Sequence, residues 1–240
     1  MLNKIDVSKI LFLDIETVPI SYEFGALEEK TKQLWDKKTK YLQERDRLTA
    51  EEVYEKAGIY AEFGKIICIS VGFLVQVKGE AQIRLKSFAN KNEKLLLQEF
   101  IDLLNSYYNH ESYILCAHNG KEFDYPYISR RLLINELKLP KLLNNAGKKP
   151  CEINNIDTLE LWKFGDYKHY TSLKLMAHVL GIPSPKDDID GSQVAGVYYK
   201  EKNLDRIVQY CEKDVITVAQ VILKLRNEPL LTEKEITLSV

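Results

Sequence analysis

The chain has 240 residues, with 34 Lys and Arg against 35 Asp and Glu for a net charge of −1, and it is 45% apolar and 29% charged. That is the composition of a globular protein large enough to bury a core without disulfides or a structural metal; four cysteines lacking C-x-x-C spacing agree, and the charge balance leaves nucleic-acid binding to a local basic surface. The longest apolar stretch, residues 66–77, is too short to cross a bilayer, and residues 1–10 lack the apolar run of a signal peptide, so cytoplasmic residence is expected.

In chain order, Lys9 to Asp14 reads as a buried strand. A polar stretch over residues 28–56 predicts two surface helices, the second capped by Thr49-Ala50-Glu51-Glu52, inside a helical insert spanning about 21–62. Lys65 to Val77, a Lys78-Gly79 turn and Ala81 to Phe88 predict a hairpin. Helices and strands then alternate. A helix capped by Asn92 runs to about Tyr108, a strand covers Tyr113 to Ala117, and a helix runs from Asp124 to Leu137. A strand covers Glu152 to Asp157, and a helix capped by Thr171 or Ser172 ends at Gly181. The last long helix starts at Asn203 with the stripe Leu204, Val208, Cys211, Val215, Val218 and Ile222, and the tail from about 229 is expected to be loosely held. Three consecutive strands followed by βα units predict a single α/β domain over 1–240, a mixed sheet with helices on both faces.

Three clusters carry possible chemistry. Asp14-Ile15-Glu16 puts two acids on one strand face after an apolar run, where burial without partners is costly. In Ala117 to Tyr127 a strand leaves through a Gly120 turn, and Asp124 stands at the next helix start. Tyr210 and Asp214 are i and i+4 on the last helix. Each has a plain alternative: solvated loop acids, a helix N-terminal acid with Asn119 holding the turn and His118 packed, and an exposed helix with Glu212 and Lys213 outward. Together the four acids can meet at the C-terminal edge of a sheet, where open α/β folds place ligands. Two carboxylates ~5 Å apart repel by roughly 3 kcal/mol at an effective dielectric of ~20. Four need protons or hard divalent cations, and two Mg²⁺ or Mn²⁺ ions suit phosphoryl displacement.

At this point the sequence resembles the DEDD superfamily of 3′–5′ exonucleases, which have a ribonuclease-H-like fold. It is most similar to the proofreading exonuclease domain of family-B DNA polymerases. Phe12 to Thr17 is similar to the first motif, and Asn119 to Tyr127, N-G-x-x-F-D-x-P-Y, to the second. Tyr210 to Asp214 is similar to the third in its tyrosine (DEDDy) form, with Gln209 where the histidine form carries His. The resemblance runs from about Lys9 to Lys224. It implies a five-stranded ribonuclease-H-like sheet and a two-metal 3′–5′ exonuclease that releases nucleoside monophosphates from single-stranded nucleic acid, DNA in preference to RNA. It further implies that Asp14, Glu16 and Asp214 hold the first metal, that Asp14 bridges to a second near Asp124, and that Tyr210 orients the attacking water. Thr17 and Asn119 would place the terminal nucleotide, and Phe123 would pack under Asp124 and join that substrate contact.

Arg130, Arg131, Lys138, Lys141, Lys148 and Lys149, then Lys163, Lys168, His169 and Lys174 beside Trp162, Phe164, Tyr167 and Tyr170, suggest a path for a strand. A solvated lysine-rich loop over core aromatics is the plain alternative. The rival function is a catalytically silent nucleic-acid-binding module on a nuclease fold. A P-loop ATPase is excluded, because Gly58 to Lys65 has one residue too many and Ile66 replaces the hydroxyl residue.

Overall fold

The computed structural model describes residues 5–166, 170–183 and 189–238. Its centre is a six-stranded sheet in the order β5-β4-β1-β2-β3-β6. The elements in chain order are β1 (Ile10–Pro19), α1 (Glu29–Asp46), β2 (Gly64–Val77), β3 (Glu80–Ala89), α2 (Glu93–Tyr107), β4 (Ile114–Ala117) and α3 (Asp124–Ile134). There follow β5 (Ile156–Asp157), α4 (Thr158–Lys163), α5 (Leu173–Val179), α6 (Val194–Gly196), a π turn over Val197–Glu201, α7 (Leu204–Leu225) and β6 (Ile236–Leu238). β1, β2 and β3 form an antiparallel meander; β4 joins β1, β5 joins β4 and β6 joins β3 in parallel.

β1 is buried on both faces because its side chains alternate between two helix layers. Leu11, Leu13 and Ile15 pack with Leu96, Phe100 and Leu104 of α2 and Ile128 and Leu132 of α3. Ile10 and Phe12 pack with Val215, Val218, Ala219 and Ile222 of α7. The hairpin turns at Lys78 and Gly79, with φ of 53° and 89°, the positive pair that matches the twist of the strands. Asn92, Ser172 and Asn203 cap their helices through side-chain oxygens.

The insert is not a plain surface. Thr49 and Glu52 form the expected capping box, but the helix they start is a 3₁₀ run over Glu52–Ile59. Trp35 of α1 is fully buried among Leu27, Val53, Tyr54, Ala57 and Phe63, and its Nε1 donates to the Ala50 carbonyl at 2.8 Å. The insert therefore has a small core of its own, pinned to the main body where Tyr127 Oη donates to the Gly58 carbonyl at 2.8 Å.

Four local expectations need correction. The sheet has six strands rather than five, because Ile236–Leu238 pairs with Ile83–Leu85. The tail from 229 is consequently held: Leu231 is buried, and its amide and carbonyl both bond the Gln220 side chain, at 2.9 and 2.8 Å. The strand expected over 152–157 is confined to Ile156–Asp157, because Asn155 Oδ1 takes the Leu115 amide at 3.2 Å and replaces a ladder bond. The helix expected to reach Leu137 ends at Ile134, where Glu136 adopts φ 59° and the Leu137 amide closes back on the Leu132 carbonyl at 2.8 Å. No helix among the described residues is long and apolar enough to cross a membrane.

Candidate active site

Asp14 and Glu16 follow Ile10 and Phe12 on the face of β1 that meets α7. The β1–β4 ladder ends at Phe12 and Cys116, so both acids lie beyond the paired part of that edge. Opposite them, Glu16 pairs with Cys68 and Thr17 with Ile66, which leaves Ile67 as an extra residue on β2. Such a bulge bends the strand pair and re-aims the side chains beside it.

Asp124 arrives from the other layer. β4 runs into a turn with Asn119 at φ 60°. Gly120 is required there, since a Cβ would sit 2.5 Å from the Ala117 Cβ and 2.9 Å from the Tyr125 ring. Asp157 holds the turn by accepting the amides of Asn119, Lys121 and Leu159 at 2.9, 3.0 and 2.9 Å. That geometry puts Asp124 at the start of α3, only 3% exposed, with its carboxylate bonded by its own amide and that of Ile15.

α7 supplies the rest. Its inward stripe includes Cys211, whose thiol donates to Asp14 Oδ2 and to the Asp14 carbonyl, both at 3.3 Å. Ligand atoms of Asp14, Glu16 and Cys211 all lie within 4.8 Å of one another. Tyr210 and Asp214 share with Asp14 a cleft of about 320 Å³, completed by His118, Tyr170, Lys174 and Thr217 among others. A second cleft of about 490 Å³ holds Glu16, Thr17 and Phe123, and Gly58 and Ile59 of the insert wall it.

The four acids feel one another. Burial first, then the charges of Glu16, Asp214 and Asp124, push Asp14 well above the usual carboxylate range. Glu16, 7% exposed, is pushed the same way by burial, Asp214, the Cys68 thiol and Asp124. Asp124 is raised to about 8 by burial, with Asp157 and Asp214 adding to it and the two amides opposing. Burial likewise keeps the Cys211 thiol protonated. A set of hard oxygen donors, two buried and two half-buried and mutually repelling, fits divalent cations of the Mg²⁺ or Mn²⁺ kind.

The structure thus brings Asp14, Glu16, Asp124 and Asp214 together, puts Tyr210 beside two of them, and sets Thr17 and Phe123 in the adjoining cleft. Asn119 lines neither cleft; its backbone makes the turn. His118 is packed, with Nδ1 2.9 Å from Thr158 Oγ1 and Nε2 2.8 Å from the Thr171 carbonyl. Arg131 is not available to a nucleic-acid strand: it is buried in an ion pair with Glu93. Lys141 pairs with Glu111 at 3.0 Å, and Tyr167, Lys168 and His169 lie outside the described residues. Glu212 does not turn outward but accepts from Ser87 Oγ at 2.7 Å. Cys211 reads from the sequence only as part of the apolar stripe of α7, its one signal being a cysteine directly after Tyr210, whereas Tyr170, which reads there as part of a path for a strand, lines the cleft with Asp14 and Asp214.

A mixed sheet with an antiparallel meander, βα units and acids converging beyond its central strand defines a ribonuclease-H-like domain of the exonuclease type. The chain belongs to a family described as predicted 3′–5′ exonucleases related to the exonuclease domain of PolB, whose model matches residues 59–234. That segment contains Asp124, Tyr210 and Asp214; Asp14 and Glu16 precede it and are joined to it by the geometry above. No curated protein matches the chain at a significant level.

Proposed function

We propose that this domain is a two-metal 3′–5′ exonuclease that removes nucleoside monophosphates from the 3′ end of single-stranded nucleic acid, DNA in preference to RNA. The observation that carries this reading is the convergence of Asp14, Glu16, Asp124 and Asp214, from three separate chain segments, into one mutually repelling group in which Glu16 and Asp124 are buried and Asp14 and Asp214 half-buried. A protein that only bound nucleic acid would gain nothing from that repulsion.

Asp14, Glu16 and Asp214 would hold one Mg²⁺ or Mn²⁺ ion, and Asp14 with Asp124 a second. Such ions, when bound, lower the pKa of a water and stabilise the leaving 3′ oxygen. The chain's own part is positional. Tyr210, one helical turn before Asp214, orients the attacking water through its hydroxyl. Thr17 and Phe123 seat the terminal nucleotide in the cleft walled by the insert, and Asn119 acts only through the turn that presents Asp124. Asp157 fixes the turn that presents Asp124.

With Mn²⁺ the protein should shorten a 5′-labelled single-stranded oligonucleotide stepwise, and Asp14→Ala should lose at least about 10³-fold in rate, comparable to removal of a key electrostatic group. Equal rates for the two proteins would sink the reading and favour the silent binding module. Matched DNA and RNA oligonucleotides in the same assay test the sugar preference.

A further inference from the structure

The acid centre holds one donor that phosphoryl displacement does not use. Cys211 follows Tyr210 directly on α7 and is fully buried, and its thiol donates to Asp14 Oδ2 at 3.3 Å. The sulfur and one oxygen each of Asp14 and Glu16 lie within 4.8 Å of one another. Cys68 stands behind them. It is the β2 residue opposite Glu16, and its thiol is in hydrogen-bond contact with that of Cys211. A soft donor thus sits among hard ones.

Glu16 points to the same place. It is 7% exposed, yet its carboxylate accepts no hydrogen bond from any described residue. Glu93, as deeply buried, accepts from Ile66, Arg131 and Asn135. A carboxylate so buried and without a donor is placed for a cation.

Two kinds of divalent cation meet this set differently. Mg²⁺ and Mn²⁺ take the oxygens and leave a thiol alone. Zn²⁺ favours thiolate, and three protein donors drawn from Cys, His, Asp and Glu can hold it with a fourth position open. At Zn–S and Zn–O bond lengths, tetrahedral donors stand about 3–4 Å apart. Donor atoms already within 4.8 Å reach that spacing by small side-chain rotations.

We propose that Cys211, Asp14 and Glu16 form a site for a thiophilic divalent cation, Zn²⁺, that excludes the ions of catalysis. On binding, the Cys211 thiol releases its proton to water and its sulfur lends an electron pair to the ion. Each carboxylate lends one oxygen, and no oxidation or reduction takes place. Zn²⁺ then occupies two of the four acids that Mg²⁺ or Mn²⁺ would need. The site stands on its own geometry. Its consequence, an exonuclease held off by zinc, rests on the reading above.

Cd²⁺ is the probe, because a Cd–thiolate bond absorbs in the ultraviolet and a carboxylate bond does not. Cys151→Ser protein, which lacks the exposed thiol, should gain this band with one Cd²⁺ per chain while its other thiols are kept reduced, and Zn²⁺ should displace it. Adding Cys211→Ser should abolish the band and weaken Zn²⁺ binding, measured against a chromophoric chelator, by at least about 100-fold. Cys211→Ala should do the same, and it covers the case in which serine unfolds the buried site. Glu16→Gln should keep the thiolate band and weaken Zn²⁺ binding. No band in Cys151→Ser, a band that survives both Cys211 variants, or Zn²⁺ affinity untouched by Glu16→Gln overturns the site.

Mn²⁺-dependent shortening of a labelled oligonucleotide, read against each protein's own rate without zinc, tests the consequence. Zn²⁺ should stop Cys151→Ser, and the Cys211 variants should need at least about 100-fold more. Cleavage unaffected by bound Zn²⁺ overturns the exclusion. A protein with the band that never cleaves keeps the site and fails the nuclease reading, and one that cleaves without the band fails the site alone.

Discussion

Two regions of the molecule bury carboxylates to the same depth and treat them in opposite ways. Glu93, 8% exposed at the start of α2, accepts hydrogen bonds from the Ile66 amide at 2.7 Å, Arg131 Nε at 2.9 Å and Asn135 Nδ2 at 3.0 Å. Arg131 also donates to the Ala61 carbonyl at 2.8 Å, so the knot ties the end of the insert to α2 and α3. Glu16, 7% exposed, faces other acids instead, and burial, then Asp214, the Cys68 thiol and Asp124, push it up. A buried acid given donors is part of folding. A buried acid given other acids is held for something the chain does not itself supply.

The sharpest way to break that comparison is to remove one partner from each region. Arg131→Ala leaves a buried carboxylate unmatched and should cost about 3–5 kcal/mol, which at this size lowers Tm by roughly 10 °C. Asp14→Asn in metal-free protein at pH 8 should do the reverse. It removes a carboxylate whose ionisation the folded state resists and should raise stability by about 1–3 kcal/mol, the scale of one close carboxylate pair. Urea unfolding of the two variants decides it; a destabilised Asp14→Asn protein would mean that the acids are not in conflict.

The same contrast sets the pH dependence. Unfolded carboxylates titrate near 4, whereas in the folded protein Asp14 and Glu16 lie well above that and Asp124 lies at about 8. The folded state therefore keeps protons that the unfolded chain has released. Stability from this centre is complete below about pH 4 and is lost as pH rises through the folded values, by up to about 1.4 kcal/mol per pH unit for each group. Metal-free protein should thus unfold at lower urea at pH 8 than at pH 5. Mg²⁺ or Mn²⁺ at 100 times its Kd should add about 2.7 kcal/mol at pH 8 and flatten the slope. A melting temperature indifferent to millimolar metal at pH 8 would contradict the clustered acids.

What the sequence made legible divides along similar lines. The acids of β1, Asp124 and the Tyr210–Asp214 pair could be read because an acid after an apolar run, or on a helix start behind a glycine turn, breaks a regular pattern. Each helix cap by Asn92, Ser172 or Asn203 could be read because the residue type acts locally. Arg131 could not: it sits in a run of basic residues, and only the distant Glu93 makes it structural. Trp35 lies in a polar helix, and the aromatic rings that bury it, Tyr54, Tyr60 and Phe63, come from later in the chain. β6 is three residues long and has no periodicity of its own; β3 supplies it with a partner. Long-range partners, rather than local propensity, account for these misses.

The smallest predicted effect tests whether the division follows hydrogen-bond donors or mere distance from the centre. Glu212 lies two residues from Asp214 on α7, yet it resembles Glu93: it accepts from Ser87 Oγ at 2.7 Å. Ser87 Oγ is also 2.9 Å from Ser70 Oγ, which lies 3.6 Å from Cys68 Sγ, so a chain of hydroxyls and thiol ties α7 to β2 and β3 behind the acids. Ser87→Ala removes one link, and Glu212, being half-buried, can turn to water. The cost should be about 1 kcal/mol, or 2–4 °C in Tm. The Mg²⁺-induced rise in Tm should survive in this variant, because none of the four repelling acids has been touched. Loss of that rise would mean that Glu212 belongs with Asp214 at the metal centre rather than with Glu93 among the acids that fasten the fold.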